Sequence, residues 1–274
     1  FQAEDGIRDS VASRGLGDVY KRQVRDATGS SRTTGWKDAL TSLLEGASGL
    51  NGTSVQIVVS ARGSNEDLAA LTKLQDVMGG GDKVFRVSQA DEESALPGFP
   101  TLARRKDLGP NVGGAELLGI SRVGESDGTG GLEGVKDHDG IIIVLGDNLE
   151  DQDETFGANA GLYVYLGTHE CAATKAAHLV LPVTTFAEQE GTFTNHEGRI
   201  QRFWPALQPP GMARPAWLIL GAVLAELSEG VAPRSAAEAF MNLAEAVPAL
   251  RGLTYEGMGL SGSVSETAQH ASLD

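Results

Sequence analysis

The stretch from His178 to Gln201, HLVLPVTTFAEQEGTFTNHEGRIQ, constrains the fold more than any other. Leu179, Val180, Leu181 and Val183 form a near-continuous apolar run. Such a run suits a parallel strand covered on both faces. Pro182 ends its ladder, because proline has no N–H to donate. A polar segment follows at once: Glu188, Glu190, Thr192, Thr194, Asn195, His196, Glu197, Arg199 and Gln201. Gly191 and Gly198 punctuate it and permit tight bends. A buried strand that delivers a dense polar loop is how an open α/β sheet presents a binding crevice, at the carboxyl ends of its strands. A functional site is expected here.

The rest of the chain keeps the same rhythm. Val55 to Val59 reads as a strand, and Ser64-Asn-Glu-Asp67 opens a helix with a capping-box-like start. Leu68, Leu71, Leu74 and Met78 share one face of that helix, and Gly79-Gly80-Gly81 stops it. Val84 to Val87 is the next strand, which completes a βαβ unit. Ile141–Leu145 and Leu162–Leu166 are further strands, and a short helix over His169–Ala177 leads into the organising strand. Trp217, Leu220, Leu224 and Leu227 mark one stripe of a later helix. Ser235-Ala-Ala-Glu238 caps a last one, with Phe240, Leu243 and Val247 inward. The expected fold is α/β, an open, mostly parallel Rossmann-like sheet with helices on both faces.

Domain limits follow from patterning. Residues 1–23 show neither the period of a strand nor that of a helix. They resemble translated sequencing-adapter read-through and are set aside as a non-native segment. The chain opens on Phe1 and its first methionine is Met78, so a fragment of a longer protein is expected. Residues 24–52 read as a linker with a short helix from Trp36 to Leu44. Residues 53–250 form the α/β domain, with 88–136 a long surface insertion holding a short helix near Gly114–Leu118. Residues 251–274 read as a polar tail.

Charge and composition exclude several classes. The chain carries 22 basic and 37 acidic residues, a net charge of −15, which opposes nucleic-acid binding and an anionic membrane surface. Cys171 is the only cysteine, so no intrachain disulfide and no all-cysteine cluster can form. It reads as a small buried helix residue. No apolar run approaches the ~20 residues that span a bilayer. His169 and His178 lack the i, i+4 spacing that puts two ligands on one helical face. Gly128–Gly134 follows no strand and lacks a P-loop lysine; Gly257–Gly262 matches G-x-G-x-x-G without a strand before it or a helix after it. Asn51-Gly52-Thr53 marks a turn, and its match to a glycosylation sequon is read as chance. Ser60–Gly63 reads as a plain βα connection.

Within the polar segment two chemistries compete. Glu188 and Glu190 have the composition of paired carboxylates, with His196 as a general base. The simpler reading has these groups cap chain ends and tie a loop down, with Arg199 as the main cation. The second is preferred, because no nucleophile–base–orienter set has a workable spacing. Thr192, Asn195 and Gln201 suit fixing a loop or holding a polar heterocycle.

The run LP-x3-F-AE-x-EGTFTN-x-EGRIQ-RF, followed by PPG-x-ARP-x-W-x-IL, closely resembles the molybdopterin oxidoreductase superfamily. The clear likeness covers about residues 140–227, and a weaker one reaches back to about Val55. Within the superfamily the wording is most similar to the branch formed by the large iron–sulfur subunit of NADH:quinone oxidoreductase, complex I. That branch implies a scaffold without molybdopterin, with no redox centre on this chain and iron–sulfur clusters in an N-terminal region outside it. It also implies partners among the subunits of the peripheral arm, on the cytoplasmic side of a bacterial inner membrane, with no direct membrane insertion. The alternative is the cofactor-enclosing domain of a molybdopterin-dependent oxidoreductase such as a formate dehydrogenase. There Thr192, Asn195 and Gln201 would contact molybdopterin guanine dinucleotide. A sheet cut from its parent is expected to self-associate through exposed edges.

Overall fold

A computed structural model describes residues 22–25, 30–50 and 52–264. Of the segment set aside as non-native only Arg22 and Gln23 fall among them; Asn51 and residues 265–274 of the tail lie outside. In chain order the elements are β1 (Gln23–Arg25), β2 (Ser31–Thr33), α1 (Trp36–Gly49), β3 (Val55–Ser60), α2 (Asn65–Met78) and β4 (Lys83–Arg86). The insertion supplies β5 (Ser94–Leu96), β6 (Phe99–Arg104), α3 (Val112–Leu117), β7 (Ser121–Arg122) and α4 (Glu133–Lys136). Then come β8 (Ile141–Leu145), β9 (Leu162–Gly167), β10 (Leu179–Pro182), β11 (Gly191–Thr194) and β12 (Arg199–Phe203). The described part closes with α5 (Ala216–Ser228), α6 (Ala236–Ala246) and β13 (Ser263–Val264).

The main sheet has eight strands in the order β2-β1-β10-β9-β8-β3-β4-β7. From β10 to β7 every pairing is parallel; β1 and β2 add an antiparallel edge. The apolar runs explain this arrangement. A strand sends alternate side chains to opposite faces, so a continuous apolar run needs cover on both. Ile57, Val59, Ile141, Ile143, Leu145, Val164 and Leu181 face α1, α2 and α5. Val58, Ile142, Val144, Tyr163, Tyr165 and Val180 face the other way. Among the described residues, long helices cover only the first face. The second is closed by α4, the 146–160 segment with Phe156, and a 3-10 turn at Ala172–Ala176. That turn replaces the helix expected over His169–Ala177. Cys171 precedes it and is half-buried.

Local signals behave as the side chains require. Ser64 accepts from the Asp67 amide while the Asp67 carboxylate accepts from the Ser64 amide, a complete capping box at the start of α2. Gly79 closes the helix at φ 126°. Ser235 caps α6 in the same way, but Glu238 reaches back to the Arg234 amide instead of the Ser235 amide.

Three regions differ from the sequence reading. Residues 88–136 are not a purely irregular insertion: β7 joins the main sheet beside β4, and Ala115 and Ile120 are buried in the first core. Residues 251–264 are not a free tail, because Tyr255 and Met258 pack into a third core with Trp217, Phe240 and Ile200. The polar segment after β10 is not a loop. It folds into the β11–β12 hairpin, to which β13 adds a third antiparallel strand.

Gly81 lies at φ +151°, and a Cβ there would stand 2.1 Å from the Val55 carbonyl oxygen. Gly80, at φ +76°, faces open space. Gly81→Ala is therefore expected to destabilise the fold by about 1–3 kcal/mol from the backbone alone, and by more once the clash is counted. Gly80→Ala should do measurably less harm. Urea unfolding of the two variants ranks them, and equal midpoints would contradict this account.

Candidate functional site

The sheet reverses direction of growth between β3 and β8. From β3 the chain moves to β4 and β7 on one side; from β8 it moves to β9 and β10 on the other. Connections diverge at such a point and leave a crevice outside the carboxyl ends. A cavity of about 540 Å³ lies there. Ser60–Gly63 follow β3, Val87 and Ser88 follow β4, Gly146–Asp151 follow β8, and Thr168 and His169 follow β9, all lining it. Val183–Phe186, after β10, complete the wall. The Ser60–Gly63 connection, plain in the sequence, is thus part of the crevice.

Arg86 governs its electrostatics. Its Nε donates to Asp147 at 3.0 Å and its Nη2 to the other Asp147 oxygen at 2.5 Å. Its Nη1 donates to both oxygens of Asp151 at 2.7 Å. Burial by itself would lower the guanidinium's pKa; the bonds and charges of Asp147 and then Asp151 outweigh it and raise the pKa above the ordinary arginine range. Asp147 also accepts from the Leu149 amide at 2.9 Å. That bond, with full burial of the side chain, holds Leu149 at φ 50°, a conformation a branched residue otherwise avoids.

Beside the crevice lies a buried polar knot at the start of α2. Asp67 accepts from the Trp217 amide at 2.8 Å and from Gln189 Nε2 at 2.7 Å. Gln189 in turn accepts from the Thr184 hydroxyl at 2.8 Å. Glu66 accepts from the Thr192 amide at 2.9 Å and its hydroxyl at 2.8 Å. Asn65 Nδ2 donates to the hydroxyls of Thr192 and Thr194 at 3.0 and 3.1 Å. The Thr194 amide donates to Asn111 at 2.7 Å. Burial raises the pKa of both Glu66 and Asp67, although each accepts several hydrogen bonds.

The residues singled out from sequence do not converge. Thr192 is fully buried in the knot. Asn195 closes the hairpin turn, accepting from the amides of Glu197 and Arg199. Gln201 is exposed on β12. None of the three lines the cavity. Glu188 caps the Thr185 amide at 2.9 Å, as a loop-tying role requires. Glu190 pairs with Arg202 at 3.0 Å, and the guanidinium lies over the rings of Tyr255 and Trp204. Arg202, not Arg199, is the cation that ties this region. His196 is exposed, 3.7 Å from Glu197. The sequence reading missed Asn65, Arg86, Asn111 and Asp147. Its one available signal was the uninterrupted polar run Ser64–Asp67, longer than a cap alone demands.

Comparison with known proteins now bears on this geometry. Residues 136–226, from α4 through most of α5, match the model of the molybdopterin oxidoreductase family. That segment resembles a molybdopterin oxidoreductase domain, and the rest of the chain lies outside the match. The chain is also similar to an NADH-quinone oxidoreductase subunit of Rhizobium meliloti, 28% identical over 287 residues, covering 94% of this chain and 33% of that one. It is likewise similar to the alpha subunit of F420-dependent formate dehydrogenase 2 of Methanococcus maripaludis, 39% identical over 90 residues, covering 32% of this chain and 13% of that one. A putative formate dehydrogenase of Staphylococcus aureus is 39% identical over 80 residues, covering 29% and 8%. The chain thus spans a third or less of the length of these relatives.

The family name implies a molybdopterin cofactor, whose dinucleotide forms bring phosphates. The crevice lining opposes them. Among the described residues it holds Asp67, Asp127, Asp147, Glu150 and Asp151 against only Arg62 and Arg86. Arg86 is already saturated by two carboxylates. The N-terminus of α2, the natural anion seat beside such a crevice, already carries Glu66 and Asp67. These residues do not fit a phosphate-bearing group.

Arg86→Ala leaves Asp147 buried without its cation, so a loss of about 3–5 kcal/mol is expected. Arg86→Met with Asp147→Leu should recover part of it. Chemical denaturation of the single and double variants measures both; a single variant within 1 kcal/mol of wild type, on the order of a surface pair, contradicts the assignment.

Proposed function

We propose that this chain is a structural, non-catalytic part of the peripheral-arm iron–sulfur subunit of a respiratory NADH:quinone oxidoreductase. It supports electron transfer from NADH to quinone by shaping and docking that arm, while iron–sulfur clusters belong to portions of the longer subunit outside this chain. The observation that carries this reading is extent. Similarity to the Rhizobium NADH-quinone oxidoreductase protein runs through 94% of the chain, whereas similarity to the formate dehydrogenases above is confined to 80–90 residues. The acidic crevice, whose Arg86 is already committed to Asp147 and Asp151, supports it, because a scaffold needs no anion seat. Its partners are other subunits of the arm, and its place is peripheral, on the cytoplasmic side of a bacterial inner membrane. No helix among the described residues is long and apolar enough to cross a membrane.

The alternative is the cofactor-enclosing domain of a molybdopterin-dependent oxidoreductase, favoured by the higher local identity of 39% to a formate dehydrogenase subunit. Metal analysis of the full-length protein separates the two. The structural reading expects no stoichiometric molybdenum, and no shift of crevice resonances when guanosine diphosphate is titrated. One molybdenum per protein would falsify it. A docking role also expects the chain to self-associate when isolated, because Leu96, Phe99 and Leu102 of the β5–β6 hairpin are exposed. A monodisperse monomer by light scattering would argue against that role.

A further inference from the structure

Among the described residues, the β11–β12–β13 sheet shares no ladder with the main sheet. It is seated on the N-termini of α2 and α3 by the polar knot. We propose that Glu66 is a proton-operated latch: protonated, it keeps this small sheet seated; ionised, it favours release of the sheet toward water.

The geometry sets two opposed costs. Ionised, Glu66 has every hydrogen bond in order, with the Thr192 amide on one oxygen and the Thr192 hydroxyl on the other. That state buries a full charge at 1% exposure. Protonated, the carboxyl becomes a donor toward Thr192 Oγ1, which already accepts from Asn65 Nδ2 at 3.0 Å. The hydrogen of Thr192 then has no partner among the described residues. An unsatisfied buried hydroxyl costs about 1–3 kcal/mol, and a buried charge without a cation costs more. Charge burial therefore wins, by a margin that a pH change can reverse.

The surrounding groups leave that balance in place. On α2 the neighbour is Asp67, a second buried carboxyl that opposes ionisation. From β12 comes Arg202, from the residue before β11 comes Glu190, and from the segment after α6 comes the Tyr255 phenol. Arg202 is committed to Glu190 at 3.0 Å and to the Tyr255 carbonyl at 3.2 Å. The side that α5 presents is the uncharged Trp217 indole and amide. Burial, before any other cause, pushes the Glu66 carboxyl up to about 7, against its ordinary value of 4.5. The released state, with Glu66 in water, returns to the ordinary value. The seated state thus binds the proton more tightly, and the latch's contribution is complete below about pH 4.5 and lost as pH rises through about 7.

Hydrogen–deuterium exchange of the intact protein tests the latch. Protection factors, corrected for intrinsic exchange at each pH, are compared between Thr192–Thr194 and the β3 and β8 amides. From pH 5 to pH 8 the hairpin amides should lose more than about tenfold in protection relative to the β3 and β8 amides. Glu66→Gln, nearly isosteric and unable to ionise, should hold hairpin protection flat at the acidic level. Asp67→Asn should keep the slope. Flat protection in wild type overturns the proposal, with or without a folded variant. So does a slope that survives Glu66→Gln or that vanishes with Asp67→Asn alone.

Discussion

Three consecutive side chains at the start of α2 hold the molecule together. Asn65, Glu66 and Asp67 are all buried, and a buried polar group without a partner is costly. Each therefore dictates what must lie next to it. Asn65 and Glu66 demand the hydroxyls and amide of β11; Asp67 demands the start of α5 and Gln189. A helix that in sequence looks merely well capped is the anchor for the hairpin, the 184–189 segment and a second helix. Two adjacent carboxyls at one helix start are tolerated because the helix dipole and several donors face each of them.

The crevice depends on a second constraint, the parallel order of the strands. Once β3 and β8 lie side by side with their chains leaving in opposite directions, an opening at their carboxyl ends is unavoidable. What the opening does is decided by its lining. Arg86 comes from one side of the reversal and Asp147 and Asp151 from the other, so the ion pair staples the two halves of the sheet across the opening. The same staple consumes the cation that an anionic ligand would need. A crevice of the kind in which open α/β sheets hold ligands is here lined by charges that already engage one another.

Much of the architecture was legible in the chain. Short apolar runs at Val55, Ile141, Leu162 and Leu179 admit little besides buried parallel strands, and Ser64 with Asp67 marks a helix start by local chemistry alone. The polar segment was harder. Thr192, Thr194, Ile200 and Arg202 alternate with period two, but glycines and charges masked that alternation. Its exposed and buried faces were therefore not separable from a loop. Arg199 and Arg202 look equivalent in sequence; only the stacking of Tyr255 and Trp204 around one guanidinium distinguishes them. Tyr255 itself lies in a stretch whose glycines suggested a tail.

By itself, then, the sequence determined the α/β class, the positions of the core strands and the caps of α2 and α6. These depend on periodicity and on hydrogen bonds spanning three or four residues. The tertiary structure alone decided which polar groups became interior. Glu66 meets Thr192 across 126 residues, Arg86 meets Asp147 across 61, and Trp217 meets Asp67 across 150. Nothing local separates these side chains from exposed ones of the same type. The chain must first close its sheet and seat its hairpin before burial selects them.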